Sequence, residues 1–291
     1  MQELIAKAAT LLEALPYIQK FNSATFVVKY GGSFMDSPDP AVRQGVARDI
    51  VFLEAVEIDP VVVHGGGKAI TRAMEQAGLK AEFVQGQRVT DRATAEVVDR
   101  VLSREINPDL VAAINHLGGV AQGFAGTEIF TCRKATPRGP DGTPLDLGFV
   151  GEVTQVNTGP LEDCLKRGFT PVISPTARGE DGQIYNCNAD VAAARVAIAL
   201  RARRLVFMSD VPGLLRDPKD PSTLISHLSS REVAALKQAG IIDRGMIPKV
   251  DSAVAALVAG VEKVQFVDGR VPHSLLLEIF TDVGVGTELV A

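Results

Sequence analysis

The chain of 291 residues has no tryptophan, only 5% aromatic residues, four histidines and three cysteines. Cys132, Cys164 and Cys187 are odd in number, far apart, and form neither a C-x-x-C pair nor a spacing suited to zinc. This excludes a disulfide framework and a structural zinc site, and predicts reduced thiols in or near the core. His64 ends an apolar run, and His116, His227 and His273 are isolated, so each reads as structural and no metal site is expected. No H-e-x-x-H or G-x-S-x-G pattern occurs. Charge of one sign is also lacking: 30 basic and 35 acidic residues give a net charge of −5, with the basic residues scattered, which argues against nucleic acid as a partner. No apolar run approaches the roughly 20 residues needed to cross a bilayer. Glu3, Lys7 and Glu13 interrupt the first apolar residues, so no signal peptide is expected and the predicted location is cytoplasmic. There is no internal repeat, no low-complexity tract and no long linker.

What the chain does have is glycine at the ends of apolar runs. Thr25-Phe26-Val27-Val28-Lys29-Tyr30 leads into Gly31-Gly32, and Pro60-Val61-Val62-Val63-His64 leads into Gly65-Gly66-Gly67. A strand that ends in glycine lets backbone N–H groups approach an anion, because no Cβ intervenes. After the second turn, Lys68-Ala69-Ile70 and Arg72-Ala73-Met74 begin a helical pattern, which adds the partial positive charge of a helix N-terminus. Glycine turns are also ordinary punctuation in α/β proteins; two of them, the first carrying Lys29, favour anion binding. The spacing fits neither a P-loop nor a G-x-G-x-x-G dinucleotide turn.

Along the chain, Leu4, Ile5, Ala8, Leu11, Leu12 and Leu15 recur at helical spacing, and Pro16 is expected to close that helix. Such an amphipathic helix either packs on its own domain or contacts another subunit. Asp91 to Leu117 reads as helix broken at Asn107-Pro108. Glu128-Ile129-Phe130-Thr131-Cys132 and Phe149-Val150-Gly151-Glu152-Val153 read as strands of β-hairpins, separated by a turn-rich loop over Pro137 to Pro144 that includes Pro140 and Asp141. Regular alternation follows: helix near Leu161–Arg167, strand at Pro171–Ser174, helix from Ala189 to Leu200, strand at Arg204–Met208, helices over Ser230–Ala239 and Ile247–Ala259, and a strand at Lys263–Val267. Strands spaced by helices imply an α/β fold with a mostly parallel, covered sheet. Arg178-Gly179-Glu180-Asp181-Gly182 is the softest boundary between two lobes.

Three later segments carry chemistry. Asn186-Cys187-Asn188-Ala189-Asp190 opens a helix with more Asn and Asp than one cap requires. Met208-Ser209-Asp210-Val211-Pro212-Gly213 ends a buried strand at the carboxyl edge of the sheet, where open α/β sheets bind ligands. Gly245-Met246-Ile247-Pro248-Lys249 puts one lysine in the first turns of an apolar helix, where a solvated side chain is the ordinary reading.

Taken in order, Lys29-Tyr30-Gly31-Gly32, His64-Gly65-Gly66-Gly67, Gly86-Gln87-Arg88-Val89-Thr90, Asn186 to Asp190, Ser209-Asp210-Val211 and Gly245 to Lys249 resemble the motif set of the N-acetyl-L-glutamate kinases. These enzymes are a branch of the amino acid kinase superfamily, and the resemblance spans nearly the whole chain. It implies a sheet sandwiched by helices in two lobes, with β-hairpins in the first. The division would be a helical extension over residues 1–20, an acyl-amino-acid-binding and dimerising lobe over 21–180, and a nucleotide lobe over 181–291.

The activity implied is transfer of the ATP γ-phosphoryl group to the side-chain carboxylate of N-acetyl-L-glutamate in arginine biosynthesis, with Mg²⁺ held mainly through the nucleotide. Lys29 and Lys249 would stabilise the transition state and Asp190 would orient both. Gly31 and Gly32 would face the phosphoryl group, while Gly66, Gly67, Arg88, Asn186 and Asn188 would hold the acceptor. Ser209, Asp210, Val211, Pro212, Gly213, Leu214 and Leu215, with Ile241, Ile242 and Asp243, would line the nucleotide pocket. The N-terminal helix resembles that of arginine-inhibited members, which implies a homohexamer built from dimers and an arginine site near Tyr17, His273, Glu278 and Gly286. A PII-type regulatory partner has no signal in the sequence. Acetylaminoadipate, carbamate, glutamate and uridylate kinases remain alternatives within the superfamily, and a non-catalytic arginine or nucleotide sensor is an alternative outside catalysis.

Overall fold

The computed structural model describes residues 1–32, 35, 37, 39–84, 86–139, 142–282 and 284–291, with only the backbone of Glu3, Ala6, Lys7, Pro40, Ala41 and Arg244. Pro140 and Asp141 of the expected turn-rich loop lie outside the described residues. The chain begins with helix α1 (Gln2–Phe21), strand β1 (Thr25–Tyr30), α2 (Pro40–Ala55), β2 (Asp59–His64) and α3 (Gly67–Gln76). A small hairpin, β3 (Phe83–Val84) and β4 (Gln87–Arg88), leads to α4 (Arg92–Val101) and α5 (Asn107–His116). Then come β5 (Ala121–Phe124), α6 (Gly126–Ile129), β6 (Phe130–Lys134), β7 (Val150–Val156), α7 (Gly159–Lys166), β8 (Thr170–Ile173), β9 (Thr176–Gly179) and β10 (Ile184–Cys187). The remainder is α8 (Ala189–Ala199), β11 (Arg204–Ser209), β12 (His227–Ser229), α9 (Val233–Gln238), α10 (Ile247–Val258), β13 (Lys263–Asp268), α11 (Ser274–Ile279) and β14 (Thr287–Val290).

Eight strands form one sheet in the order β12-β14-β13-β11-β1-β2-β8-β5, and only the β13–β14 pair is antiparallel. Because successive side chains of a strand point to opposite faces, each central strand feeds two cores. Val27, Val61, Val63, Leu205, Phe207 and Phe266 pack into one core with the inner faces of α8 and α10. Phe26, Val28, Tyr30, Val62, Val206 and Met208 pack into the other with α2, α5 and α11. Strands buried on both faces explain the near-continuous apolar runs, and sheet and helices match the expected fold class. β6, β7, β9 and β10 close into a four-stranded barrel containing the antiparallel pairs β6–β7 and β9–β10.

Three local expectations are corrected. Pro16 does not close α1, which continues to Phe21. Past the proline, Phe21 packs edge-on against Phe26 at 5.2 Å, and the Arg204 guanidinium lies 4.7 Å above the Phe21 ring, contacts that offset one lost helical hydrogen bond. Asn107-Pro108 does not break the helix either: residues Leu102–Ile106 form a π-helical turn between α4 and α5, and Pro108 follows that widened turn, which accommodates its ring. Glu128 and Ile129 belong to short α6, pinned where the Gly126 N–H donates to Ser174 Oγ at 2.9 Å. Residues 180–183 form the turn between β9 and β10 inside the barrel, and strands from both halves of the chain share the main sheet. No helix among the described residues is long and apolar enough to cross a membrane, and Cys132, Cys164 and Cys187 are buried and free.

Candidate active site

Period-two alternation puts Lys29 on the face of β1 shared with Val27, beneath α8 and α10. Its Nζ lies 3.1 Å from Asp190 Oδ1. From α10, Lys249 Nζ donates to the same carboxylate at 3.2 Å to Oδ1 and 3.1 Å to Oδ2. Two ammonium groups thus converge on one carboxylate. Burial alone would raise the Asp190 carboxyl, but the Lys29 and Lys249 charges outweigh it and hold it below the usual range. Burial, opposed by Asp190 and reinforced by Lys29, lowers Lys249. The Lys249 Nζ also sits 5.5 Å above the Phe207 ring, so this lysine is buried rather than solvated.

Asp190 stands in the first turn of α8 because Asn188 caps that helix, its Oδ1 accepting from the N–H groups of Asp190 at 2.8 Å and Val191 at 3.2 Å. The Asn188 carbonyl oxygen is committed to the cap, leaving its amide nitrogen for a ligand. Asn186 Nδ2 donates to Thr90 Oγ1 at 3.4 Å.

The two glycine turns face this carboxylate across a cleft of about 380 Å³. It is lined by Lys29, Gly31, Gly32, Gly65, Gly66 and Gly67, and on its other walls by Arg88, Asn186, Asn188 and Asp190. The Gly65 N–H is spent on Tyr30 O at 2.7 Å, which ties the second turn to the first. Gly32 has φ +138°, a conformation few side chains tolerate. Arg88 is buried and fixed: Nη2 donates to Gly67 O at 3.0 Å and Thr71 Oγ1 at 2.9 Å, while its guanidinium lies 4.6 Å above the Phe83 ring.

Every expected catalytic, phosphate-binding and acceptor-binding residue therefore surrounds one cleft, Lys249 entering through its bond to Asp190. The residues expected to contact nucleotide are placed differently. Ser209 ends β11, and Asp210 is close enough for its charge to raise Lys249. Leu214 and Ile242 are buried in the core, the Leu214 N–H donating to Thr287 Oγ1 at 2.8 Å, so these two offer a ligand backbone at most. Val211, Pro212, Gly213, Leu215, Ile241 and Asp243 lie outside the cleft lining.

Around the expected arginine site, the Tyr17 hydroxyl bonds Asp282 and its ring meets Phe280 edge-on at 6.5 Å. His273 Nδ1 lies 2.6 Å from Asp49 Oδ1. The buried Glu278 accepts from Gln265 Nε2 at 2.9 Å and from the N–H groups of Val285 at 2.7 Å and Gly286 at 3.0 Å.

Sequence reasoning missed the braces Thr71 and Phe83, and gave Thr90 only as part of the Gly86–Thr90 segment. Thr71 was findable, since it lies one helical turn beyond Gly67 in α3. Among the described residues, no group of three or more His, Cys, Asp or Glu side chains assembles a metal site. Asp190, a carboxylate of the cleft lining, is already engaged by two lysines.

Residues 24–268 match the model of the amino acid kinase family. The acetylglutamate kinase of Heliobacterium modesticaldum is 46% identical over 293 residues, covering 99% of each chain, and that of Akkermansia muciniphila is 47% identical over 289 residues, covering 99% of this chain and 96% of its own. Among solved structures, N-acetylglutamate synthase from Neisseria gonorrhoeae with coenzyme A and N-acetyl-glutamate is 27% identical with a TM-score of 0.83, covering 98% of this chain and 63% of that one. The same synthase with coenzyme A and L-arginine gives 27% and 0.79, covering 97% of this chain and 65% of that one, so this chain spans under two thirds of the synthase's length. The chain belongs to the amino acid kinase family.

Proposed function

We propose that this chain transfers the γ-phosphoryl group of ATP to the side-chain carboxylate of N-acetyl-L-glutamate, releasing ADP and an acyl phosphate in arginine biosynthesis, and that it works in the cytoplasm. The observation that carries the reading is the pair of lysines sharing Asp190 beside two glycine turns and a fixed arginine. The names of relatives at 46% and 47% identity support the substrate.

A carboxylate is already ionised at neutral pH, so the acceptor needs no general base. His64, the one histidine at the turns, is fully buried with its ring pushed down to about 4 by desolvation, and it is not placed to act as one. The obstacle is repulsion between a carboxylate and a polyphosphate. One acceptor oxygen attacks the γ-phosphorus as the bond to the bridging oxygen breaks. Lys29 and Lys249 offset the charge on the equatorial and leaving oxygens, and Asp190 keeps both ammonium groups aimed inward. Gly31, Gly32, Gly66 and Gly67 present N–H groups to the phosphoryl group and the acceptor carboxylate. Arg88, already braced, offers its remaining donors to the α-carboxylate, and Asn186 and Asn188 offer amide groups to the acetylamino part. The backbone of 210–215 and 241–243 forms the nucleotide edge, and magnesium, held through the nucleotide phosphates, would supply further charge neutralisation.

Arginine control and a hexamer built through α1 belong to the same proposal. Leu4, Ile5, Leu11 and Leu12 are each at least 60% exposed in the single chain, and α1 touches the segment around Phe280 and Asp282 through Tyr17. The related synthase solved in complex with L-arginine supports testing that ligand.

The deciding experiment incubates the protein with ATP, hydroxylamine and one acceptor at a time: acetylglutamate, glutamate, acetylaminoadipate or UMP, with and without arginine. Hydroxylamine traps an acyl phosphate as its hydroxamate. Hydroxamate should form in step with ADP for acetylglutamate, while ADP, which also reports on UMP, should form far more slowly with the others; equal or faster ADP formation with another acceptor would replace the substrate proposed.

A further inference from the structure

Behind the second glycine turn, and outside the cleft, lies a buried pair that the reaction as described does not use. Asn107 Nδ2 is 2.9 Å from Val172 O and 3.3 Å from His64 Nε2. A backbone carbonyl only accepts, so the Asn107 atom facing it is the amide nitrogen, and that nitrogen donates to both partners. His64 Nε2 is then the acceptor, which leaves the imidazole proton on Nδ1. Nδ1 lies 2.9 Å from Gly65 O, so the ring donates to that carbonyl. Desolvation of the fully buried ring keeps it neutral at working pH, which preserves this tautomer.

In a trans peptide the C=O and the following N–H point in opposite directions, and no peptide among the described residues is cis. A Gly65 carbonyl held against the buried imidazole therefore turns the Gly66 N–H the other way, towards the cleft. Rotating that peptide by half a turn would set the N–H against the ring's own Nδ1–H and aim a carbonyl oxygen at the incoming anion. The back of the turn is closed as well: a Cβ on Gly66 would fall 2.5 Å from Ile106 Cδ1 and 2.7 Å from Leu102 Cδ2. Leu102 and Ile106 are the ends of the π-helical turn, and Asn107 follows it directly. The widened turn thus delivers two apolar stops and one amide donor to the same glycine.

We infer that His64 and Asn107 are positioning residues that lock the Gly65–Gly66 peptide with its N–H facing the transferring group. This rests on the proposed use of the turn as an anion site. Asparagine at 64 places an amide nitrogen where Nδ1 stands, whereas glutamine reaches Asn107 at the Nε2 position but lacks the donor to Gly65. His64→Asn should keep kcat within about threefold of the parent. His64→Gln should lose about 100-fold in kcat, the scale of one oxyanion donor, with KM for ATP unchanged. Both should lose similar amounts of melting temperature, since each vacates part of the same buried site. Equal kcat for the two variants, or losses that simply follow stability, would overturn the pairing. Nitrogen-15 NMR of the parent protein gives a reading that needs no variant: His64 should show a protonated Nδ1 and bare Nε2, and the reverse tautomer would refute the lock. If Lys29→Ala is inactive while His64→Gln is normal, only the positioning role falls; if Lys29→Ala is active, the site itself is misread.

Discussion

Asp190 is the residue on which the site turns, because it makes two buried cations tolerable to each other. Without its charge, Lys249 would face burial and the repulsion of Lys29 with only the smaller effect of Asp210 to raise it. Asp190→Asn should therefore lower kcat and also move the alkaline limb of the pH–rate profile to lower pH, as Lys249 loses its proton more easily. Rate measurements from pH 6 to 10 on parent and variant check this; a reduced rate with an unmoved alkaline limb would argue that Asp190 serves geometry alone. Reading Lys249 from sequence gave a solvated lysine as its ordinary fate, because the Phe207 ring and the β1 lysine that surround it are contributed from far along the chain.

At the scale of elements, the strands were legible because burial on both faces writes a plain apolar run, and the glycines that end β1 and β2 mark where the sheet opens to a ligand. The helix over Ala189–Ala199 was legible through its cap. Proline misled twice. At Pro16 the contacts of Phe21 with Phe26 and Arg204 carry the helix onward, and at Pro108 the extra residue of a π-turn makes room for the ring; both reasons are tertiary and leave no local mark. Closure of the barrel was equally hidden, since β6 pairs with β9 and β7 with β10 over long separations. The exposed leucines of α1 give an element-level prediction. Deleting residues 1–20 should leave an active dimer with much weaker arginine inhibition, measured by light scattering and by inhibition curves; unchanged size and inhibition would remove α1 from assembly and control.

Across the whole molecule, two buried groups pull stability in opposite directions with pH. His64, lowered to about 4 in the fold from an ordinary 6.5, makes the unfolded chain the better proton acceptor between those values, so its contribution is lost as pH falls from 6.5 to 4. Asp49, raised to about 6 by burial against the opposing bond from His273, does the reverse: the fold holds the proton better between 3.8 and 6, so its contribution is lost as pH rises through that window. Asp49→Asn removes one, and its melting temperature should climb more steeply than the parent's between pH 4 and 6; parallel curves would contradict the assignment. The central claim, that two lysines gathered by one carboxylate move a phosphoryl group to a carboxylate acceptor, is tested most directly by kcat for Lys29→Ala and Lys249→Ala at saturating ATP and acetylglutamate, read as trapped hydroxamate. Each should fall by about a thousandfold, or roughly 4 kcal/mol of transition-state stabilisation, while the fold is retained. Near-parental turnover in either variant would contradict it.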